Sequence, residues 1–328
     1  MAISIGNVTL QSPVLLAPMA GITDLPFRNV VSGFGAGLVV SEMIASQELV
    51  QARPSTRAKA ELGLNAANTS VQIAGREAHW MSECARLVAD QGAKIIDINM
   101  GCPAKQVTNG ASGSALMREP DHALGLIESV VKAVDVPVTL KMRLGWDDGS
   151  LNAPAIAQRA ENAGVQAITI HGRTRCQFYK GNADWAAIAE TGDAVTVPVF
   201  ANGDIVDSAT AHMALARSGA AGVMIGRGTQ GQPWLLRTVA AELAGTPAPT
   251  HPNLAQRLDL MISHYEAMLA FYGIPLGLKS ARKHLGWYLD RIPGTKVLRA
   301  EIMRETDPGS VIRRLRSIPD ITALDHAA

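Results

Sequence analysis

The chain of 328 residues is 47% hydrophobic and 18% charged, and its formal net charge is +1. This is the composition of an ordinary globular protein, and the chain is long enough to bury a large core. A charge so close to zero excludes a protein that is basic over its whole surface, so a nucleic-acid partner would have to meet a local basic patch.

The cysteines and the first residues of the chain indicate a compartment. Cys84, Cys102 and Cys176 form no CxxC pair and no metal-ligand spacing, and an odd number of thiols suits a reducing environment. The first residues lack the basic and apolar segments of a signal peptide. No apolar run approaches the roughly 20 residues that a membrane span needs. We therefore expect a cytoplasmic enzyme with neither a metal nor a membrane partner.

Eight short apolar runs recur along the chain, and the segments between them leave room for helices. Most of the runs are β-branched and bounded by glycine or proline, which is the pattern of parallel strands that are covered on both faces. The predicted strands occupy residues 14–19, 38–43, 70–75, 95–102, 138–145, 167–174, 197–204 and 221–228.

Several of the intervening segments carry helix signals. The segment 76–93 places Cys84 on an apolar helical face, so Cys84 is predicted to be a core residue. A second helix is expected to begin at Asp121 as its N-cap. A third is expected to begin at Asp207 or Ser208.

The alternation of strands and helices predicts an α/β fold, a (β/α)8 TIM barrel over residues 1–245. A doubly wound sheet is the alternative fold. That fold would carry a glycine-rich fingerprint after the first strand, and the sequence APMAGITD at 17–24 is not one.

The composition changes after the barrel. A proline-rich linker, AGTPAPTHPN, occupies residues 244–253. Beyond it, four segments have helical periodicity. They predict a C-terminal helical domain over residues 252–320.

The helical domain carries most of the positive charge of the chain. The segment 279–316 contains ten Lys or Arg and four Asp or Glu, which gives it a net charge of +6. A solvated helical face is one explanation of this charge. The interleaved His284, Trp287 and Tyr288 make a nucleic-acid surface the alternative.

Polar side chains lie at the carboxyl ends of seven of the predicted strands, where a barrel of this kind carries its chemistry. A random distribution would not place them all at one end, so we predict a functional site at the barrel mouth. They are Glu42, Gln72, Asn99, Cys102, Lys141, Arg143, His171, Arg173, Asn202, Asp204 and Arg227.

The residue types at the mouth indicate a cofactor. The glycines of ANGDI at 201–205 and IGRG at 225–228 let backbone N–H groups approach a phosphate. Lys141 is a cation inside the mouth and needs an anionic partner, which the N1–C2=O region of a reduced flavin supplies. Gln72 and Asn99 can hydrogen-bond the pyrimidine edge of a flavin or of a substrate. This set favours FMN, although many barrels bind other phosphates.

Two roles are open for Cys102. A thiol is mostly protonated at neutral pH and can give its proton to a carbanionic carbon as a general acid. A thiolate nucleophile would instead need a nearby histidine base, and His171 lies two strands further on.

Seven segments of the chain resemble the tRNA-dihydrouridine synthase family, and the loop after Cys102 is most similar to the bacterial B subgroup. The segments are LAPMAGITDLPFR, SVQIAG, DINMGCPAKQVTNGASGSALM, LKMRLGW, ITIHGRTRCQFYKG, VFANGDI and VMIGRG. The resemblance covers nearly the whole chain. It departs at Ala201, where many relatives have glycine, but this change leaves the backbone donors in place.

The resemblance implies that the C5–C6 double bond of a D-loop uridine in tRNA is reduced with FMN and with NADPH or NADH. It implies that Cys102 is the proton donor to C5 and that the basic helical domain clamps the tRNA backbone. We expect a monomer. The implied cofactor residues are Pro18, Met19, Ala20, Gln72, Lys141, His171, Asn202, Gly203, Asp204, Gly226 and Arg227. The predicted substrate residues are Asn99, Lys105, Arg143, Lys279, Arg282 and Lys283.

Two other functions compete with this one. A flavin barrel of the dihydroorotate dehydrogenase type, acting on a free pyrimidine, would share the FMN residues but would not need a basic helical domain. A non-catalytic regulator or RNA-binding protein is the second rival. The retention of Cys102 and Lys141 argues against a lost active site.

Overall fold

The structure is a computed structural model that describes residues 3–51, 61 and 68–319. Residue 320, the predicted end of the helical domain, lies outside the described residues. The strands are β1 Ser4–Ile5, β2 Val8–Thr9, β3 Val14–Leu16, β4 Leu38–Val40, β5 Ile44–Ala45, β6 Thr69–Ala74, β7 Ile95–Met100, β8 Val138–Arg143, β9 Ala167–His171, β10 Val199–Asn202 and β11 Gly222–Ile225.

Eight parallel strands form a closed barrel. Their order around the ring is β4, β3, β11, β10, β9, β8, β7 and β6, and the pairing of β4 with β6 closes it. The eight predicted strands are confirmed, so the TIM barrel is correct and the doubly wound sheet is wrong. The strands end before the predicted runs do, since residues such as Cys102 and Asp204 lie past the last paired residues.

A two-stranded antiparallel hairpin, β1 with β2, precedes the barrel and was not predicted. Its Ile5 is buried in a cluster with Leu15, Ile95 and Phe200 from three barrel strands. The hairpin thus supplies apolar side chains to the barrel core. Strands of two residues are too short to show an alternating pattern, so the sequence gives no signal for them.

The described helices are α1 Leu25–Ser32, α2 Ser46–Val50, α3 Ala78–Asp90, α4 Lys105–Thr108, α5 Pro120–Val131, α6 Ala153–Asn162, α7 Ala186–Ala194, α8 Ser208–Ser218, α9 Leu235–Leu243, α10 Leu254–Tyr272, α11 Ile274–Leu289, α12 Lys296–Ile302 and α13 Pro308–Arg316. Two 3₁₀ turns, Gly113–Arg118 and Arg227–Thr229, follow β7 and β11. None of the described helices is long and apolar enough to cross a membrane.

The predicted helix starts are correct for α8 and wrong for α5. Asp207 accepts the N–H of Thr210 in a capping box, as predicted. Helix α5 instead begins at Pro120, whose fixed φ suits the first helical position, and Glu119 occupies the N-cap position. Asp121 is therefore in the first turn, where it pairs with Arg159 at 2.7 Å.

The predicted core position of Cys84 is confirmed. Cys84 lies on α3 and is fully buried. Burial raises the pKa of its thiol to about 12. The residue is therefore an inert apolar filler at neutral pH.

The chain divides into two compact units, Met1–Gly228 with Leu236–Pro247, and Thr229–Leu235 with Ala248–Ala328. The second unit contains α10 to α13, which pack around their own apolar core. The short segment before α9 belongs to this unit through Gly231. A Cβ atom on Gly231 would lie 2.2 Å from the carbonyl oxygen of Trp287.

Two aromatic residues expected on the nucleic-acid surface are instead in the core of the helical unit. His284 and Tyr288 are buried, and the His264 ring contacts both of theirs. Tyr288 is four residues from His284 and three from the core residue Leu285, so all three belong to the side of α11 that packs inward. The expectation that they meet nucleic acid is wrong, whereas Trp287 is half-exposed.

Candidate active site

The loop that carries Cys102 is held by hydrogen bonds on both sides of the residue. The N–H groups of Gly101 and Cys102 donate to Asn99 Oδ1 at 3.2 and 3.0 Å. The carbonyl oxygen of Cys102 accepts from the N–H and hydroxyl of Ser114 at 3.1 and 2.8 Å. The backbone of Cys102 is therefore fixed while its half-buried side chain lies at the barrel mouth.

Gly113 packs directly against this loop. Its φ is +61°, and a Cβ atom there would lie 2.9 Å from the carbonyl oxygen of Cys102 and 3.2 Å from its Cβ. Any other residue would be strained by the backbone angle and would push the cysteine away. The glycine thus belongs to the architecture of the cysteine loop.

A chain of buried side chains runs from the barrel interior to Cys102. Thr139 Oγ1 donates to Asp97 Oδ1 at 2.6 Å, and Gln72 Nε2 donates to Asp97 Oδ2 at 2.6 Å. Asn99 Nδ2 then donates to Gln72 Oε1 at 2.7 Å. Strand register explains the first contacts, because Gln72, Asp97 and Thr139 are paired positions on β6, β7 and β8.

Lys141 is a buried cation at the mouth. Its Nζ donates to Asn202 Oδ1 at 3.1 Å, and Asn202 Nδ2 donates to the carbonyl oxygen of Met224 at 2.7 Å. Burial and the nearby charge of Arg143 lower the pKa of Lys141 to about 8, against the opposing effects of Asp97 and Cys102. The ammonium group is therefore mostly charged at neutral pH and suited to an anionic ligand.

His171 is neutral at the mouth. Burial, together with the charges of Lys141, Arg143 and Arg173, holds its pKa well below the ordinary value. Its Nε2 lies 3.2 Å from Arg173 Nη1, and it also hydrogen-bonds Asn202. The ring nitrogens are thus engaged by Arg173 and Asn202, which favours the general acid over the nucleophile of the two roles considered for the thiol.

Arg173 and Asp204 form an ion pair at the mouth in which the arginine side chain is buried. The Arg173 guanidinium binds both carboxylate oxygens of Asp204, one of them at 3.0 Å, and donates to the carbonyls of Lys180 and Gly181. With His171 Nε2 as the fifth acceptor, all five N–H groups of the guanidinium have partners. Burial disfavours the Asp204 carboxylate, but hydrogen bonds from Arg173 and Ala183 lower its pKa below the ordinary value.

The turn after β10 has an unusual backbone. Gly203 has φ +117° and Asp204 has φ +53°, the left-handed region that non-glycine residues rarely adopt. Trp185 Nε1 donates to the carbonyl of Gly203 at 2.8 Å, and Arg227 Nη2 lies 3.3 Å from Asp204 Oδ1. Since the Asp204 charge is neutralised by two arginines, it does not repel an anion at this turn.

The residues that follow β3, the first strand of the barrel, are only partly covered by the protein. Pro18 and Met19 are half-buried and Ala20 is exposed. A Cβ atom on Gly226 would make ordinary contacts of 3.5 Å with Ala17 and Met19. The packing of the protein itself therefore does not require a glycine at 226, and the glycine leaves space for a ligand beside Met19.

The predicted substrate residues are divided between the two compact units. Lys105 is exposed on α4, close in sequence to Cys102. Lys279, Arg282 and Lys283 lie on α11 in the helical unit. Arg282 donates to the carbonyl of Glu305 at 3.1 Å and so also holds that unit together.

Arg143 has a different set of contacts from the one expected of a substrate residue. Its guanidinium is buried and donates to the carbonyls of Gly101 at 2.8 Å and of Thr174 and Phe178 at 2.9 Å. Burial lowers its pKa to about 10, so the group remains charged. Arg143 therefore joins the Cys102 loop to the loop after β9.

Three residues of the mouth were not among the predicted site residues. Arg173 was noticed as a strand-end cation without a role. Asp97 could have been found, because it precedes Asn99 by two positions and so faces the same side of the strand. Tyr179 is 47% exposed, and its ring lies 5.0 Å from the Arg227 guanidinium. No local sequence pattern predicts that the loop carrying Tyr179 places this residue beside Arg227.

Within the described residues, no group of three or more His, Cys, Asp or Glu side chains is placed to hold a metal ion. The mouth is instead dominated by Lys141, Arg143, Arg173 and Arg227. These four cations outnumber the carboxylates Glu42 and Asp204, and the excess suits a phosphate-bearing ligand.

The family model and the similar sequences agree on one family. The family model described as "Dihydrouridine synthase (Dus)" matches residues 15–324. A "Probable tRNA-dihydrouridine synthase" of Rhodobacter capsulatus is 63% identical over 318 residues, covering 97% of this chain and 98% of the relative. A relative of that name from Rhizobium leguminosarum is 54% identical over 325 residues, covering 97% and 98%. A "tRNA-dihydrouridine synthase B" of Xanthomonas campestris is 45% identical over 316 residues, covering 96% and 95%.

Proposed function

Because the chain belongs to the dihydrouridine synthase family, we propose that it is a flavin-dependent oxidoreductase that reduces the C5–C6 double bond of a D-loop uridine in tRNA. The relatives called tRNA-dihydrouridine synthase cover nearly all of both chains, including both compact units. They favour this function over the reduction of a free pyrimidine. We propose FMN as the flavin and NADPH or NADH as its reductant.

The residues at the mouth fit FMN. Lys141 is a buried cation that would meet an anionic ring edge, and the lack of a side chain at Gly226 would let a ring approach beside Met19. Arg227 is 55% exposed beside the turn at Gly203, where backbone N–H groups can receive a phosphate. Pro18 and Met19 would border the ring system.

When bound, the flavin would supply a hydride to C6 of the uracil. Cys102 would supply the proton to C5, so that one hydride and one proton saturate the double bond. The thiolate left behind lies near the cations Lys141 and Arg143, whose pKa values a charge on Cys102 raises. The thiol would regain its proton from solvent before the next turnover.

The fixed position of Cys102 is the observation that carries this proposal. Its N–H and carbonyl are both hydrogen-bonded, so the thiol is presented from a rigid loop beside two cations. Asn99 would orient the uracil through its amide. A uridine in folded tRNA can reach the mouth when it is turned out of its stack.

The helical unit would bind the tRNA backbone. Lys279 is exposed on α11, and the neighbouring Lys283 is partly exposed. Such lysines suit phosphate contacts, which position an RNA without reading its sequence. The same role is proposed for Lys105 on the barrel.

A single-turnover experiment tests the function. The purified protein is reduced anaerobically with NADPH and then mixed with tRNA that lacks dihydrouridine. Flavin reoxidation on mixing, with dihydrouridine detected by mass spectrometry at one D-loop position, is the expected result. Reoxidation by orotate instead of tRNA would identify the protein as a free-pyrimidine enzyme.

A further inference from the structure

Asp97 is a buried carboxylate at the inner end of the chain of side chains that reaches Cys102. It is 3% exposed, and among the described residues no Lys or Arg forms an ion pair with it. Burial raises its pKa, opposed by the hydrogen bonds from Thr139 and Gln72 and by the charge of Lys141. An acidic group in such a place is costly, so its retention calls for a reason.

The reason lies in what a carboxylate can accept. Both oxygens of Asp97 accept hydrogen bonds, from Thr139 and from Gln72, as those of an ionised carboxylate do, which has acceptors and no donor. Gln72 must therefore turn its amide nitrogen toward Asp97, which leaves its oxygen toward Asn99. Asn99 must in turn face Gln72 with its nitrogen, which directs its oxygen to the N–H of Cys102.

The outer end of the chain imposes the same order. The backbone N–H groups of Gly101 and Cys102 can donate and cannot accept, so they require the oxygen of Asn99. The two amide groups thus point in one direction from Asp97 to the cysteine loop. Each amide nitrogen has given one hydrogen within the chain, and its second hydrogen remains for a carbonyl group in the mouth.

We propose that Asp97 is a positioning residue for the reaction: its carboxylate sets the orientation of the Gln72 and Asn99 amides and so fixes the backbone that presents the Cys102 thiol. This inference rests on the proposed function, in which Cys102 protonates uracil. It also assigns both amides as donors toward ring carbonyls.

Replacement of Asp97 tests the orientation. Asp97→Leu removes the acceptor of the Gln72 amide, so that only the N–H groups of Gly101 and Cys102 still hold the two amides in order. We expect tRNA-dependent flavin reoxidation to slow by about 10²-fold, the loss that a displacement of about 1 Å can cause. Reduction by NADPH in the same protein should slow much less, because that step involves the flavin, which Gln72 is expected to contact, but not the thiol. A change in protein stability alone would not alter the ratio of the two rates.

Asp97→Asn gives the conservative rescue. The introduced amide can still accept from Gln72, provided that its own nitrogen donates to the hydroxyl of Thr139. We therefore expect reoxidation within about tenfold of wild type, since the hydroxyl can reverse its role.

The hydroxyl of Thr139 is what makes that rescue possible. In the Asp97→Asn background, Thr139→Val should return reoxidation to the level of Asp97→Leu. Thr169→Val in the same background is the matched control: Thr169 is buried and borders the same small interior cavity as Asp97 and Thr139. The control should react as Asp97→Asn does.

The outcomes separate this inference from the proposed function. Equal rates for the two threonine variants, or a parallel loss of both half-reactions, would overturn the role of Asp97. If Asp97→Leu fails to fold, the two threonine variants still decide the matter. Failure of wild-type protein to reoxidise with tRNA would instead overturn the proposed function.

Discussion

Lys141 Nζ donates to Asn202 Oδ1 at 3.1 Å, which joins β8 to β10 past the strand between them. Asn202 cannot neutralise the ammonium charge. The hydrogen bond therefore holds the ammonium group at the mouth without neutralising its charge. The affinity for an anionic cofactor should then depend on pH.

FMN affinity should fall as the pH rises through about 8, where Lys141 loses its proton. Below that pH the ammonium is charged and attracts the cofactor. Lys141→Met should bind FMN more weakly at pH 7 and should lose this part of the pH dependence. Fluorescence titration of the apoprotein between pH 6.5 and 9.5 measures both effects. Lys132→Met, which removes an exposed ion pair with Glu128 of α5, is the control.

Cys102→Ala should leave FMN binding and NADPH reduction intact and slow tRNA-dependent reoxidation by about 10²–10⁴-fold. Cys102→Ser should be similarly slow, because a hydroxyl is a much weaker acid than a thiol. Stopped-flow absorbance of the flavin separates the two half-reactions. Normal reoxidation in both variants would make Cys102 a structural residue, and Cys176→Ser is the control thiol.

Arg173→Lys should weaken FMN binding while leaving the protein folded. A lysine cannot bind both oxygens of Asp204 and reach the carbonyls of Lys180 and Gly181 at once. The turn at Gly203 would lose its support. Equilibrium dialysis of FMN gives the affinity, and circular dichroism checks the fold. An unchanged affinity would mean that the ion pair supports the loop after β9 alone.

Lys279→Gln combined with Lys283→Gln should reduce the slope of log affinity for tRNA against log salt by up to about one unit for each lost phosphate contact. FMN content should not change, since the flavin residues lie in the barrel unit. Arg282 is left in place because it supports Glu305. Arg86→Gln, on α3 in the barrel unit, is the control, and an unchanged slope in the double variant would assign these lysines to a solvated face.

The helical unit should lose stability in acid. Burial lowers the pKa of His264 from 6.5 to about 3, and burial with the nearby His264 and Lys283 also lowers that of His284. From about pH 6.5 down to about pH 3 the unfolded chain binds protons that the folded unit does not. The free energy of unfolding should therefore fall as the pH is lowered, by up to about 1.4 kcal/mol per pH unit for each histidine. Urea titrations at pH 7 and pH 5 should show a smaller difference for His264→Gln than for His212→Gln.

The fold was largely predictable because eight strands with apolar sequences recur at regular intervals. The N-terminal hairpin was not, since its strands are two residues long. His284 and Tyr288 were misjudged because their residue types suggested RNA contact. Their spacing from Leu285 shows that they share an inward face, so helical periodicity was the better guide.

The site was predictable in its location and less so in its contacts. Position at a strand end is enough to place Lys141 and Cys102 at the mouth. The partners of Arg143 are carbonyls from separate loops, and no sequence pattern reports where a loop will turn. The roles of the predicted cofactor and substrate residues stay predictions until the experiments above are done.

The hydrogen bonds around Cys102 also determine which parts of the mouth can move. Amide hydrogens in loops usually exchange quickly with solvent, but those of Gly101 and Cys102 are held by a buried asparagine. Their exchange should require opening of the barrel itself rather than local loop motion. Room for an entering nucleotide must then come from the loop after β9, where the side chains of Phe178 and Tyr179 are exposed. Hydrogen–deuterium exchange should therefore be slow in the loop of Cys102 and fast in the loop of Phe178 and Tyr179, although both border the barrel mouth.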